Sequence, residues 1–528
     1  MNRRGFCLAG SAAFVAAQLF GSATRPLANS SALGETSVPG SEDTLAGPPH
    51  GPWRRLFLDA AVIERSEGLS RVFHAAQKHS GDPIIQRDRP WEGVAAITGP
   101  YVYGSVLWDG GKLHMWYQVL TRGNHVGYAE SHDGVHWTKP ELGIIEFDGS
   151  KANNLVVSAY QPAVAGGGHC HNPSVILRPE EADVQKRFAL YGFDNQCGHP
   201  RVAFSPDGLH WQYVPETATQ PLFSSSDVVN FFYDPYQARY ACTWKTRNRR
   251  GRAVGIAWSA DGLDWTKPFD GPIFVADDLD LDATQIYGMP VFPYQGLYIG
   301  QPWIYSARYF RFGEYSVERL HEAQADSPRT IDVQLAWSWD LINWTRPPER
   351  HSFIPRGGPG TWDSGMIVTA RAPVVVGDQL YFYYGGCDGV HDQPRVRAAI
   401  GLATLRLDGF CSMQADESEG WLITRREPFY EPAVTINART ASNGLVTAEI
   451  LDRHNHVVLG FGREDCRAFA GDSVRHVLTW KTGQFPLQQA LTDYKIRFWL
   501  KSAELFSYLP HGLDHSQRDL ARFPNSGP

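Results

Sequence analysis

The stretch 131–140 reads SHDGVHWTKP, and close relatives of it return as SPDGLHW from Ser205, SADGLDW from Ser259 and, blurred, SWDLINW from Ser338. An Asp-Gly pair favours a tight turn, because glycine accepts a positive φ and the aspartate side chain caps its own backbone. Each copy follows an alternating strand: VGYAES at 126–131, RVAFS at 201–205, VGIAWS at 254–259 and VQLAWS at 333–338. The tryptophan after the turn folds back onto that strand. SxDGxxW is thus a hairpin device, and its repetition is structural; we assign its residues no chemistry.

Upstream of each copy lies a further pair of strands, at 103–108 and 113–118, 174–177 and 188–193, 229–233 and 240–245, and 289–292 and 297–301. A fifth set, 372–376 and 380–385, is followed by 399–405 and a turn at Asp408-Gly409. Four strands per unit and five units are what a radial array needs to bury each sheet against the next. The reading is all-β: a five-bladed β-propeller within residues 51–415. After it, runs such as LVTAEILD, VVLGFG, HVLTWK and IRFWLKSAELFSYL alternate with period two, which predicts a β-sandwich over 416–528.

The chain has 528 residues, 43% of them apolar, and 49 basic against 56 acidic residues give a formal charge of -7. That balance argues against nucleic acid or an anionic membrane as partner and favours a neutral or small polar ligand. The N-terminus, MNRRGFCLAGSAAFVAAQLFGSA, places Arg3-Arg4 before a short Ala-rich apolar run, the pattern of a twin-arginine export signal over 1–23. A Ser/Gly/Pro-rich linker over 24–50 follows, and the mature protein is expected to be periplasmic or secreted. No other segment has the roughly 18 uninterrupted apolar residues of a membrane span. Six cysteines remain beyond the signal, without CxxC spacing; we expect buried thiols, with Cys170 and Cys197 the pair to check.

DG turns each followed by Trp, the NPSVI stretch at 172–176 and APVVVGDQLYFYYGG at 372–386 together resemble the five-bladed glycoside hydrolases, the invertase and levanase type of family 32 and the arabinanase and xylosidase type of family 43. LFLDAAVIE, YGSVLWDGGKLHMWYQ, PELGIIEFDGSKANNLV and TQIYGMPVFPYQGLYIG are similar to a bacterial branch of invertase-like glycosidases. The resemblance covers roughly 55–510 and implies a pocket on the propeller axis with three carboxylates at the starts of the first three inner strands. This chain departs from that pattern. The first blade begins YVYGSV with no Asp, the second has Asn172-Pro173, and only the third keeps a carboxylate in register, Asp227, seven residues before Asp234.

Cleaving a glycoside takes one protonated carboxyl to donate to the leaving oxygen and one carboxylate to attack or to activate water, without a cofactor. Acids just before inner strands are therefore the catalytic candidates: Asp227, Asp282 in DLDATQIYG, Asp363 in TWDSGMI and Glu92 in RPWEG. His171, Asn172, Asn230, Gln285, Tyr287 and Arg371 sit near blade starts and supply the donors that a sugar site needs. The GGGHCHNP cluster sets His169 and His171 two apart, too few ligands to assign a metal. The expected function is an exported glycoside hydrolase acting on an oligo- or polysaccharide, with a furanoside among the candidates. Two alternatives stand beside it: a polysaccharide lyase working through Tyr287, His171 and Arg371, and a glycan-binding propeller without catalysis. The sequence leaves sugar, linkage and oligomeric state open.

Overall fold

In the computed structural model, the corner at Ser131 is held by four short bonds within seven residues. Ser131 Oγ accepts the Gly134 N–H at 2.9 Å, and Asp133 Oδ1 accepts the N–H groups of Val135 and His136 at 2.9 and 2.8 Å. The Trp137 indole then donates to Gly134 O at 3.0 Å. Ser205-Asp207 and Ser259-Asp261 repeat the serine and aspartate bonds at 2.8 to 2.9 Å. Ser338-Asp340 makes them with Leu341 in the glycine position.

The glycine carbonyl of each corner is also where the next contact is made. Gly134 O accepts the Tyr383 hydroxyl at 2.9 Å, Gly208 O the Trp116 indole at 2.7 Å and Gly262 O the Tyr191 hydroxyl at 3.2 Å. A Cβ at these glycines would lie 2.7, 2.7 and 2.3 Å from those same rings, and their φ angles are +79°, +75° and +86°. Trp116 and Tyr191 each pair with the residue three before the corner serine, Tyr128 and Val202. The matching position of the third sheet is Thr243, opposite Ile256. With no large ring there, the fourth corner carries Leu341, buried in one cluster with Ala241, Ile256 and Phe232. The blurred fourth copy is therefore a size exchange between neighbouring sheets.

The structure describes residues 45–510 apart from 94–96, 122, 159–168, 281–283, 307–328, 429–433 and 482–492. The expected signal at 1–23 lies outside the described residues, as does all but the end of the linker at 24–50. The described residues are nearly all strand and loop, with only 3-10 turns among them, in a propeller arrangement. Four antiparallel sheets follow in chain order. They run Pro100–Asp109, Lys112–Leu120, Asn124–Ser131 and Leu155–Val157; then His171–Leu177, Phe188–Asp194, His199–Ser205 and Gln212–Tyr213; then Val229–Asp234, Arg239–Asn248 and Gly251–Ser259; then Val291–Tyr294, Leu297–Gly300, Ala336–Ser338 and Trp344–Thr345. Side chains staple the inner strands of successive sheets: Ser105 Oγ accepts Val175 N–H at 2.8 Å, and Ser174 Oγ accepts Phe231 N–H at 3.1 Å.

A nine-stranded sheet carries the last repeat, Met366–Thr369, Gln379–Cys387 and Val396–Arg406, and ends on Gln77–Lys78 from the other end of the chain. This late-to-early pairing removes an open sheet edge. A second nine-stranded sheet also draws on both ends: Ile63–Glu67, Gly420–Thr424, Asp493–Pro510, Cys411–Ala415 and Ser70–Phe73 lie in that order, with Val434–Leu451, Asp472–Leu478 and Arg55–Leu56 attached. Arg55 and Glu427 form a buried ion pair at 2.7 Å within it. The six described cysteines are free thiols, Cys170 and Cys197 included. No described helix is long and apolar enough to cross a membrane.

Gly208→Ala tests the docking of corner on ring. The added methyl meets the Trp116 ring at 2.7 Å at a positive φ, and the expected cost is about 1–3 kcal/mol. Urea unfolding followed by tryptophan fluorescence reads it, and an unchanged midpoint would remove the docking account.

Candidate functional site

Three inner strands are irregular, two of them where candidate residues lie. Register shifts fall between Tyr101 and Ser105, between His171 and Ser174, and between Ile286 and Gly288. These bulges bracket Tyr103, Asn172 and Tyr287, and a bulge re-aims the side chain it carries. Asn172 holds φ +59°, its backbone N–H donating to Gln118 Oε1 at 2.9 Å. Such left-handed backbone in a non-glycine residue costs of order 1 kcal/mol and is over-represented at functional sites.

Tyr103 is the hub. Its ring stacks on Trp303 at 5.1 Å between centroids and 8° between planes, and meets His171 edge-on at 5.3 Å. His171 is almost wholly surrounded, and burial draws its imidazole down to about 4 although Asp227 acts the other way. The ring is therefore neutral near pH 7, with no hydrogen-bond partner for Nδ1. Asp227 precedes the strand Val229–Asp234 and is half-exposed, its Oδ1 2.6 Å from Lys245 Nζ and 2.8 Å from the Ser226 hydroxyl. Burial alone pushes this carboxyl up; Lys245 and Ser226 outweigh it and hold the group at about 2. Burial in turn lowers Lys245 from the usual lysine range, with Asp227 opposing.

Lys245 also stands 4.6 Å over the Tyr287 ring, and the Tyr287 hydroxyl lies 3.1 Å from His391 Nε2. Burial raises the Tyr287 phenol well above the ordinary tyrosine value. Asp227, Lys245, His171, Tyr103 and Tyr287 thus form one neighbourhood drawn from four sheets. Lys245, Tyr103, Trp303 and His391 were not among the sequence candidates. Lys245 had a signal, since it opens the basic run KTRNRRGR; the other three had none, because their meeting depends on the closure of the ring.

The remaining candidates divide. Glu92 is fully buried and saturated: Tyr117 donates at 2.8 Å, Lys139 at 2.6 Å, and the N–H groups of Asp88 and Arg89 at 3.1 and 3.2 Å. Asp363 is buried on Lys78, with Tyr384 donating at 3.1 Å and Thr361 at 3.0 Å. Because Lys78 belongs to the closing strand, this pair sits where the two ends of the ring meet. Asp282 lies outside the described residues. Gln285 is tied to the basic hairpin, its Oε1 accepting from Arg252 Nη1 at 2.9 Å. Asn230 is buried with no partner for Nδ2. Arg371 donates its backbone N–H to Gly104 O at 2.9 Å; its Nε has no acceptor, and burial draws the guanidinium down to about 10. His169 accepts from Asn124 N–H at 3.3 Å, and among the described residues no three His, Cys, Asp or Glu side chains converge as a metal site.

No family model and no curated protein matches the chain. Solved structures that resemble it include a family 130 glycoside hydrolase described as targeting beta-1,2 mannosidic linkages in Candida mannan, at 15% identity and TM-score 0.42 over 63% of this chain and 94% of that one. A putative glycoside hydrolase from Parabacteroides distasonis matches at 13% and 0.43 over 63% and 96%. An N-acetylgalactosamine deacetylase from F. plautii, solved with blood group B trisaccharide, matches at 15% and 0.42 over 64% and 96%. Likenesses at this level assign neither family nor reaction.

Two outcomes follow from this geometry. Lys245→Met is expected to move the Asp227 carboxyl from about 2 to at least the ordinary aspartate value near 4, read by carbon NMR titration; an unmoved carboxyl would show that Lys245 does not hold it. Lys78→Met strands a buried Asp363 and is expected to cost about 3–5 kcal/mol of stability, read by urea unfolding; a neutral result would mean that the closure does not depend on the pair.

Proposed function

We propose that the protein is an exported glycan-cleaving enzyme, a glycoside hydrolase working at the axial end of the inner strands with Asp227 as its reacting carboxylate. One observation carries this reading. Of the three candidate acids described, Asp227 alone is both ionised and open to solvent, while Glu92 and Asp363 spend their lone pairs on buried partners. A carboxylate held at about 2 stays charged at any working pH, so its role is attack on the anomeric carbon or activation of water. It is not the proton donor. That role falls to Asp282, the acid that precedes the strand Thr284–Gly288, and the spacing of the two carboxyls would set retention or inversion. In this reading the last repeat, closed by Gln77–Lys78, is a fifth blade, the C-terminal strands form a sandwich, and Arg3-Arg4 mark the export signal.

A second reading has its own support. Tyr287 is flanked by Lys245 and by Arg252, whose guanidinium stands 5.7 Å from the ring centre. A phenol among cations is the arrangement for removing a proton beside a uronate carboxylate, which makes a lyase. Against it stands the upward push of burial on the phenol.

The purified mature protein, incubated with furanosides, pyranosides and uronate polymers, separates the two. Release of reducing ends that falls about 10²–10⁴-fold in Asp227→Asn is expected. A rise in ultraviolet absorbance from a new double bond would replace the hydrolase with the lyase. Silence across the panel would leave a binding propeller.

A further inference from the structure

In a chain of net charge -7, the hairpin 245–252, KTRNRRGR, packs five cations into eight residues. Arg247 and Arg252 are directly paired across its two strands, and Lys245 lies two residues from Arg247 on the same face. The carboxylates that answer these cations are few among the described residues. Asp227 takes Lys245, and Asp278 takes Arg250. Among the described residues, the Arg252 guanidinium meets the amide oxygen of Gln285 and the rings of Tyr287 and Tyr305, the latter at 4.9 Å.

Beside the hairpin opens a cleft of about 410 Å³ between the serines at 224–226 and the end of the strand Arg239–Asn248, with Trp244, Lys245, Arg247 and Lys267 in its wall. Lys267 crosses it over the Trp244 ring at 5.2 Å and rests on Ser224 Oγ at 2.8 Å, with no carboxylate partner among the described residues. The Trp244 indole N–H is buried without a partner. The volume suits a sugar-sized ligand. Two of its lining residues, Ser226 and Lys245, hold Asp227 Oδ1 at 2.8 and 2.6 Å.

We propose that this cleft and the face of the hairpin are an anion seat, so that the glycan taken at Asp227 is acidic, carrying a carboxylate on a residue next to the one that reacts. The physical reason is desolvation. Cations against apolar and aromatic walls are poorly hydrated, and an anion that replaces their water gains charge-assisted hydrogen bonds. The sign of the seat is opposite to that of the whole molecule. The inference rests on the glycan-active reading of the same site. It replaces the neutral ligand expected from net charge with a charged one.

The test is calorimetric titration of the mature full-length protein with a uronic-acid trisaccharide, the matched neutral trisaccharide and inorganic phosphate, repeated on Arg252→Gln and Lys267→Gln. Thermal melting of both variants serves as the folding control. The uronate is expected to bind about tenfold or more tighter than the neutral sugar, and each variant to lose about fivefold to tenfold for the uronate alone, with added salt acting in the same direction. Equal affinities for the two sugars, or variants that bind as the parent does, overturn the seat. Phosphate binding with the same loss in both variants, and no preference between the sugars, assigns the seat to a free oxyanion and overturns the glycan-borne anion. Charge-selective binding without bond cleavage in the substrate panel would defeat the hydrolase reading and leave the seat standing. Cleavage of a neutral sugar that neither variant weakens would do the reverse.

Discussion

The contact on which the architecture depends is the glycine carbonyl of a corner accepting a hydrogen bond from an aromatic side chain of the preceding sheet. It does two things at once. The bond satisfies a backbone acceptor that the turn would otherwise bury, and the flat ring fills the space that a missing Cβ leaves. Tyr383 on Gly134, Trp116 on Gly208 and Tyr191 on Gly262 are three instances of one joint. At Gly134 and Gly262 the carbonyl also accepts the corner's own tryptophan, Trp137 or Trp265, whereas at Gly208 it accepts Trp116, and Trp211 is left with a buried indole N–H unpaired. Leu341 with Thr243 is the same joint solved with the bulk on the other partner.

Closure by the early strand Gln77–Lys78 sets the surroundings of one candidate acid, and Lys139 those of another. Lys78 carries its charge into the last repeat and meets Asp363, and Lys139 does the same for Glu92. Both acids are buried, and a buried carboxylate persists only when paired. Asp227 also has its lysine, but at a half-exposed position where the ion pair tunes the carboxyl without enclosing it. What separates Asp227 from the other two acids is solvent access, with pairing common to all three.

Net charge misleads at the scale of a site. The molecule is acidic overall, yet the hairpin 245–252 and Lys267 bring positive charge to one wall of the cleft next to Asp227. Over a Debye length of about 8 Å the local arrangement governs what approaches, and distant surface carboxylates are screened. The neutral histidine, the lysine drawn down by burial and the carboxylate held at about 2 are consequences of the same mixture of apolar walls and few charges.

The sequence by itself determined what is local and periodic. SxDGxxW spells out a corner because serine, aspartate and glycine bond within four residues, and the alternation before it spells out a strand. Asp227 stood out as a candidate because the family resemblance places a carboxylate seven residues before Asp234. The tertiary structure decided everything that joins distant segments: that 55–73 pair with strands after 410, that Gln77–Lys78 complete the last repeat, that Asp363 and Glu92 are consumed by lysines, and that Tyr103, Trp303 and His391 reach the neighbourhood of Tyr287. A hydrogen bond between residues hundreds of positions apart leaves no spacing in the chain to read, whereas a turn is written within the span of its own bonds.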